Sequence, residues 1–239
     1  MKIGILGTGG VGRTLAAKLN ADEHEVMIGT RNIADTMAKS KPDGMGNPPF
    51  KEWQEQNSKV KLGTFADAAK FGETIILATY GDVTTNAIDL AGNENFSGKL
   101  VVDTTNPLDF SEGVPPGFTV TLGNSLGEQI QKHIPNAKVV KAFNTIGAHI
   151  IVNPKREEGV PDLLIAGNDD SAKKQLGDLI KNWGWGSVID MGGISQSYWL
   201  EAFAMIWIHY GFKYNSWNHA FKLLKKLFDK PDALVNQFR

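Results

Sequence analysis

The sequence contains no cysteine, which excludes disulfide bonds, thiolate catalysis and cysteine-ligated metal sites. It also has no excess of either charge: 25 Lys and Arg face 26 Asp and Glu, for a formal net charge of -1. A basic surface for nucleic acid or an anionic membrane is therefore not expected. The five histidines are scattered without metal-ligand spacing, and we expect no metal site.

Long hydrophobic runs are missing too. The longest, residues 202–208, lies between Glu201 and His209 and is far shorter than the roughly 20 residues of a membrane-spanning helix. It predicts a buried helical segment. The apolar stretch in residues 1–10 is too short for a signal peptide. We therefore expect a cytoplasmic protein without a membrane partner.

Short apolar strands alternate with helical segments along the chain. Strands are predicted at residues 2–7, 24–30, 73–79, 99–105, 137–143, 162–167 and 187–192. Helices are predicted at residues 11–21, 33–40, 51–58, 64–71, 83–92, 125–134, 171–183 and from about 195 onwards. Strands that are apolar on both faces indicate a parallel sheet covered by helices on both sides.

The fold class that follows is α/β: a Rossmann-like, doubly wound, mostly parallel sheet with a small helix-rich C-terminal lobe. Five of the six tryptophans lie between residues 183 and 217, a shift in composition towards the C-terminus. We predict a nucleotide-binding domain over residues 1–148 and a smaller lobe over residues 149–239.

A glycine-rich loop follows the first predicted strand. Gly7, Gly9 and Gly12 have the G-x-G-x-x-G spacing, and the loop opens a helix that leads to a second strand. In this context the glycines permit a tight turn, a close approach of a pyrophosphate and close helix–strand packing. The residues expected to contact a dinucleotide here are Gly7, Thr8, Gly9, Gly10, Val11 and Gly12.

The second strand ends in Thr30, Arg31 and Asn32, at a place where NAD enzymes usually carry an acid. An acid there accepts hydrogen bonds from the ribose hydroxyls but would repel a 2′-phosphate. Thr30 and Asn32 can instead donate hydrogen bonds, and the Arg31 guanidinium can pair with a phosphate. The three residues therefore indicate NADP rather than NAD.

The motifs together resemble the NADPH:deazaflavin (coenzyme F420) oxidoreductase family. The resemblance is carried, in order, by the segments KIGILGTGGVG, VMIGTRN, LVVDTTNPL and VVKAFNTIG, and by SYWLEAFAMIWI near residues 198–209. It implies NADP(H) as cofactor, a deazaflavin as hydride acceptor and a homodimer. It places the nicotinamide near Ala78, Thr79, Tyr80, Asn106, Pro107, Ala142, Phe143 and Asn144.

One segment departs from the family pattern. Tyr80 and Gly81 stand where many relatives have a small apolar residue and a proline. In this position Tyr80 would narrow the pocket over the nicotinamide. The expected acceptor is therefore a deazaflavin or a flavin-like molecule.

Other functions remain open from the sequence alone. One is an NADP-dependent reductase of an imine, pyrroline-carboxylate, hydroxyacid or ferric-chelate substrate, although no glycine-rich segment leads to the lysine that hydroxyacid enzymes use. Another is a non-enzymatic regulator that senses NADP. No side chain is assigned as catalytic. His149 is the best candidate for a proton donor, His209 and His219 are expected in structural roles within helical sequence, and Glu201 is read as a lobe-orienting, partner-facing or partly exposed carboxylate.

Overall fold

The computed structural model describes residues 1–224 of the chain. In chain order its strands are β1 (Lys2–Leu6), β2 (Glu25–Thr30), β3 (Lys61–Thr64), β4 (Thr74–Leu77), β5 (Leu100–Asp103), β6 (Leu108–Asp109), β7 (Gly117–Phe118), β8 (Lys138–Lys141), β9 (Leu163–Gly167) and β10 (Val188–Asp190). Its α-helices are α1 (Gly10–Ala21), α2 (Ile33–Ala38), α3 (Phe50–Gln56), α4 (Phe65–Phe71), α5 (Thr84–Ala91), α6 (Leu126–His133), α7 (Ala148–Val152), α8 (Asp170–Ile180) and α9 (Ser197–Tyr214). Short 3₁₀ turns occupy Gly81–Val83, Asn93–Phe96 and Ile194–Gln196.

Eight of these strands form one sheet in the order β10-β9-β8-β5-β4-β1-β2-β3, and β6 and β7 form a separate antiparallel pair. Neighbouring strands of the large sheet are parallel except β8 and β9, which are antiparallel. The chain winds outwards from β1 in both directions, to β2 and to β4. In such sheets ligands bind beyond the carboxyl ends of the strands, at the point where the winding changes direction.

Successive strand residues pack into opposite layers. Ile75 and Leu77 of β4 belong to the cluster formed with α4, α5 and α6, whereas Ile76 belongs to the cluster formed with α1 and α8. All three side chains are buried, which explains why the strand is apolar throughout. The predicted fold class, a mostly parallel doubly wound sheet, is confirmed.

Side-chain caps mark several helix starts. Thr64 with Asp67 at α4, and Ser125 with Glu128 at α6, form reciprocal capping boxes. The side chain of Asp169 accepts a hydrogen bond from the Ala172 backbone N–H at α8. Helix α1 differs, because its N-cap is Gly9 and its first turn carries no acidic residue.

Four short elements were not predicted. They are the edge strand β3, the paired strands β6 and β7, and the helix α7. The helix predicted from residue 195 onwards ends at Tyr214, where Asn215 adopts a left-handed φ of 45°. His219 therefore lies beyond the helix rather than within it. The part of that prediction covering residues 225–239 lies outside the described residues.

The chain after residue 148 continues the same sheet. Strand β9 pairs with β8, and β10 pairs with β9, so this segment shares hydrogen bonds with the first. The buried residues of α9 are Ser197, Leu200, Glu201, Ala204, Ile208 and Gly211. The division at residues 148 and 149 stays a prediction. Within residues 1–224, no helix combines the length and the apolarity needed to cross a membrane.

Candidate dinucleotide and hydride-transfer site

The loop after β1 adopts a backbone that only glycine accommodates easily. Gly7 has a φ of 129°, and a β-carbon there would lie 2.3 Å from the Ala78 carbonyl oxygen. A β-carbon at Gly12 would lie 2.3 Å from the Gly7 carbonyl oxygen. These two contacts bring α1 and the end of β4 directly against the loop.

Gly9 has a different environment. A β-carbon there would meet no atom within 4 Å, and its φ of -76° is ordinary. The space beside Gly9 is therefore open, and the unpaired N–H groups of the first turn of α1 border it. The donor groups and the absence of a side chain suit a pyrophosphate, so the residues fit a dinucleotide.

The loop between α2 and α3 returns to this point. Residues 39–49 connect α2 to α3. Arg13 donates from Nε to the Thr8 carbonyl oxygen at 2.7 Å and from its guanidinium to the Pro48 carbonyl oxygen, and it lies 5.3 Å from the centre of the Phe50 ring. Burial lowers the pKa of Arg13, opposed by the charge of Asp43. The Asn47 amide faces Gly10 at 3.1 Å from its β-carbon position.

The residues after β2 form a small network. The hydroxyl oxygens of Thr30 and Thr36 are 2.7 Å apart, and Thr36 donates its proton to the Asn32 carbonyl oxygen at 2.9 Å. The Thr30 hydroxyl therefore contacts α2 through Thr36. Asn32 caps α2 by accepting from the Asp35 backbone N–H, while Arg31 is exposed.

The end of β4 approaches the end of β5 closely. A β-carbon at Gly81 would lie 2.2 Å from the Asn106 carbonyl oxygen, so glycine permits this contact. Thr84 donates to the Tyr80 carbonyl oxygen at 2.9 Å, and its hydroxyl lies 2.9 Å from that of Thr79. The Tyr80 side chain is 68% exposed.

Asn106 and Asn144 pair across the ends of β5 and β8. Asn106 Nδ2 donates to the Asn144 carbonyl oxygen at 2.8 Å. Asn144 Nδ2 donates to Asn106 Oδ1 at 3.0 Å and to the Leu200 carbonyl oxygen in α9 at 3.0 Å. Asn144 Oδ1 is buried and accepts no hydrogen bond from residues 1–224. The pair thus joins two strand ends to the first turn of α9.

Ala142 and Phe143, expected at the nicotinamide, have core side chains. Ala142 is fully buried, and Phe143 is 3% exposed with its ring 6.0 Å from that of Trp183 and 6.2 Å from that of Trp185. Their placement near the nicotinamide stays a prediction, and only their backbone atoms are free to make such a contact. Phe143 has a φ of 64°, a backbone conformation uncommon outside glycine. Pro107 is buried as well, and its carbonyl oxygen accepts from Thr119.

Three charged residues beside this site are completely buried. Lys141 Nζ donates to Asp103 Oδ2 at 2.9 Å, to Glu201 Oε1 at 2.8 Å and to the Thr105 carbonyl oxygen at 2.7 Å. Burial acts to lower the pKa of Lys141, but the carboxylates of Asp103 and Glu201 outweigh it and raise that pKa. The expectation of a partly exposed or partner-facing Glu201 is wrong, because the carboxylate has zero exposure.

Lys141 and Asp103 were not predicted as site residues. The available signal was a lysine at the end of the otherwise apolar strand β8, opposite an aspartate at the end of β5. A charge in a strand buried on both faces requires a partner. Glu201 carried the same signal in α9, but the sequence does not say which partner it meets.

The histidines do not form a metal or acid–base cluster. His149 is exposed, and its Nε2 lies 3.2 Å from Asn218 Oδ1. His219 faces the carbonyl oxygens of Ser216 and Trp207 through its two ring nitrogens. Within the described part of the chain, no three His, Asp or Glu side chains are grouped to hold a metal ion.

Comparison with known proteins places this site in a family. Residues 2–107 match the family described as NADP oxidoreductase, coenzyme F420-dependent. Over 220 residues the chain is 30% identical to the F420-dependent NADP reductase of Methanocaldococcus jannaschii, covering 90% of this chain and 95% of that protein. The chain belongs to this family. The resemblance inferred from its motifs is confirmed, and the protein is an NADP-dependent oxidoreductase.

Two further proteins are similar to this chain. A crystal structure from Arthrobacter sp. FB24, provisionally described as an F420-dependent NADP-reductase, superposes with a TM-score of 0.88 at 41% identity, covering 94% of this chain and all of that one. Metalloreductase STEAP3 of Rattus norvegicus is 26% identical over 201 residues, which is 84% of this chain but 36% of that protein. Membership of the F420-dependent family implies NADP and coenzyme F420 as cofactors, and the alternative functions are not favoured.

Proposed function

We propose that this protein transfers hydride between NADP(H) and coenzyme F420 at the carboxyl ends of β1, β2, β4, β5 and β8. The observation that carries the proposal is the open space beside Gly9 at the start of α1, with Arg31 at the end of the neighbouring strand. One feature accommodates a pyrophosphate and the other a 2′-phosphate. Both lie at the edge where doubly wound sheets bind nucleotides.

The adenosine end is assigned to the residues after β1 and β2. Backbone N–H groups of Gly9, Gly10 and Val11 would hold the pyrophosphate, with Gly7, Thr8 and Gly12 giving the loop its shape. Arg31 would pair with the 2′-phosphate, because its exposed guanidinium offers several donors in one plane. Thr30 and Asn32 would set the position of Arg31 through their contacts with α2.

The nicotinamide end is assigned to the residues after β4, β5 and β8. Ala78, Thr79 and Tyr80 would border the ring on one side, and Asn106 with Pro107 on the other. Asn106 and Asn144 use only part of their hydrogen-bonding capacity on each other, so Asn106 can both donate to and accept from the carboxamide. Ala142 and Phe143 would contribute through the backbone.

Hydride transfer to a planar acceptor depends on alignment of two carbon atoms more than on an acid or a base. The reduced cofactor supplies the hydride. The protein would contribute orientation and exclusion of water. His149 contacts Asn218, so we do not assign it a proton-transfer role.

The first turn of α9 offers a surface for such an acceptor. Tyr198 lies 5.9 Å from the Phe118 ring and meets Trp199 edge to face at 5.0 Å. The next residue, Leu200, accepts the hydrogen bond from Asn144, so these rings would lie near the proposed nicotinamide end. Aromatic rings suit stacking with a flat tricyclic acceptor.

The decisive experiment is a steady-state assay of hydride transfer from NADPH to oxidised coenzyme F420, followed by the loss of deazaflavin absorbance. NADH serves as the control for phosphate recognition, and flavin and ferric chelate serve as alternative acceptors. Turnover with NADPH and F420 is expected. Turnover with ferric chelate or flavin alone would reassign the acceptor, and no turnover with any of them would remove the enzymatic proposal.

We also propose a homodimer formed through α9. Ile206 and Tyr210 lie on one side of this helix, four residues apart, and they are 58% and 45% exposed. The opposite side of the helix packs on the sheet.

The cytoplasmic location expected from the sequence stays a prediction.

A further inference from the structure

The buried cluster of Asp103, Lys141 and Glu201 satisfies every polar atom of its three side chains. All three N–H groups of Lys141 have acceptors. Asp103 Oδ1 accepts from the backbone N–H and the hydroxyl of Thr105, at 2.9 and 2.6 Å. Glu201 accepts from the backbone N–H groups of Leu126 and Gly127, at 3.0 and 2.9 Å.

This arrangement joins four parts of the fold. Asp103 ends β5, Lys141 ends β8, Glu201 lies in α9, and Leu126 and Gly127 begin α6. Asp103 and Lys141 are direct neighbours in the parallel register of β5 and β8. The relative position of α9 and the two strand ends is therefore set by charge-assisted hydrogen bonds.

Complete burial of two carboxylates and an ammonium group adds little to the free energy of unfolding. Removing charges from water costs about as much free energy as their mutual attraction returns, and apolar replacements are often as stable. The hydrogen bonds, however, fix one geometry, which apolar packing does less strictly. The cluster is thus better explained by a positional role than by stability.

The same elements carry the asparagine pair of the proposed nicotinamide site. Asn106 follows Asp103 by three residues, and Asn144 follows Lys141 by three residues. Asn144 donates to the carbonyl oxygen of Leu200, the residue before Glu201. The ends of β5 and β8 are therefore joined twice, by the ion pair of Asp103 with Lys141 and by the pair of Asn106 with Asn144. The end of β8 also contacts α9 twice, from Lys141 to Glu201 and from Asn144 to Leu200.

We propose that Lys141, with Asp103 and Glu201, is a positioning residue for hydride transfer: the cluster holds Asn106, Asn144 and the first turn of α9 at the spacing that aligns donor and acceptor. This inference rests on the proposed function. Lys141 has no exposed surface and does not reach a substrate, so it acts only through the residues it holds. A displacement of about 1 Å in such a site can lower the rate roughly a hundredfold.

The test uses a variant in which the net charge of the buried cluster is unchanged. Lys141→Met alone would leave two carboxylates facing each other, and we expect it to unfold. The double variant Asp103→Asn/Lys141→Met removes one charge of each sign and retains Glu201 on its two backbone donors. Lys138→Met is the matched control: it lies on the same strand, but its side chain is 38% exposed and pairs with Asp169 at the surface.

For the double variant we expect kcat for hydride transfer to fall between about tenfold and a hundredfold, with KM for NADPH changed less than about twofold. The KM for NADPH should stay near its wild-type value because Gly9 and Arg31, which would bind the phosphates, lie at the other end of the site. Lys138→Met should retain both values. A folded double variant with the wild-type kcat would overturn the proposal, and so would failure of the double variant to fold, since the cluster would then serve stability.

A second measurement does not depend on turnover. Amide hydrogen exchange should be faster in residues 104–106 and 142–146 of the double variant than in the wild type, with no change at Gly7–Gly12. Unchanged exchange at those two segments would contradict the positioning role. If the wild type transfers no hydride to F420, the proposed function fails by itself, and the exchange comparison still decides whether the cluster positions the asparagine pair.

Discussion

The α-carbon of Gly12 faces the carbonyl oxygen of Gly7 so closely that a β-carbon would lie 2.3 Å from it. Gly9, three residues earlier at the N-cap of α1, faces open space. The two glycines serve different purposes, because one permits packing of α1 on β1 and the other leaves room for a ligand. Substitution by alanine should separate these purposes.

Gly12→Ala should lower the free energy of unfolding by roughly 1–3 kcal/mol, because the helix must move away from a backbone oxygen. Gly9→Ala should leave it within about 0.5 kcal/mol of the wild type, as expected for surface substitutions, and raise KM for NADPH by at least about tenfold. Urea denaturation and steady-state kinetics measure the two effects. Equal loss of stability in both variants would contradict the assignment.

Arg31→Ala should weaken NADPH binding far more than NADH binding. A hydrogen bond to a charged group contributes about 1.5–3 kcal/mol, which corresponds to roughly ten- to a hundredfold in KM for NADPH. Lys174→Ala, which removes an exposed lysine from α8, is the control for loss of positive charge. If Arg31→Ala changed the two KM values equally, Arg31 would not recognise the 2′-phosphate.

Ionisation of Asp169 should make the free energy of unfolding depend on pH in the acid range. Its hydrogen bonds with Ser171 and the Ala172 N–H, together with Lys138, lower its pKa to about 2. Because the folded-state pKa lies below the unfolded value of about 3.9, the contribution is present above pH 4 and is lost as pH falls towards 2. Urea midpoints at pH 5, 4 and 3 should fall less steeply in Asp169→Asn than in the wild type. Parallel slopes would show that Asp169 does not contribute in this range.

Ile206→Glu should separate the proposed dimer into monomers without unfolding the protein. The side chain is 58% exposed in the single chain, so a carboxylate is tolerated in the monomer but would be buried in the interface. Sedimentation velocity at micromolar concentration measures the mass, with Lys70→Glu on α4 as control. A wild-type protein that sediments as a monomer would rule out the dimer at that concentration.

The nucleotide loop and its neighbours were accessible from sequence because their rules are local. The strand, the glycines and the helix follow one another directly, and the positive φ of Gly7 needs no distant partner. Arg31 follows β2 immediately, so its position at the sheet edge was also predictable. Side-chain direction was not accessible in this way: Phe143 is adjacent to Asn144, but its ring packs against Trp183 in the core.

What the sequence by itself determined is the order of strands and helices, the open turn beside Gly9 and the absence of an acid after β2. Only the tertiary structure decided which partners the buried charged side chains contact. Lys141 and Glu201 are distant along the chain, and nothing local to either residue names the other as its partner. The direction of β9 and the return of the loop near Pro48 to Arg13 were likewise undetermined. Local propensity acts between neighbouring residues, whereas these contacts depend on how α9, β9 and the loop pack on a sheet that the whole chain builds.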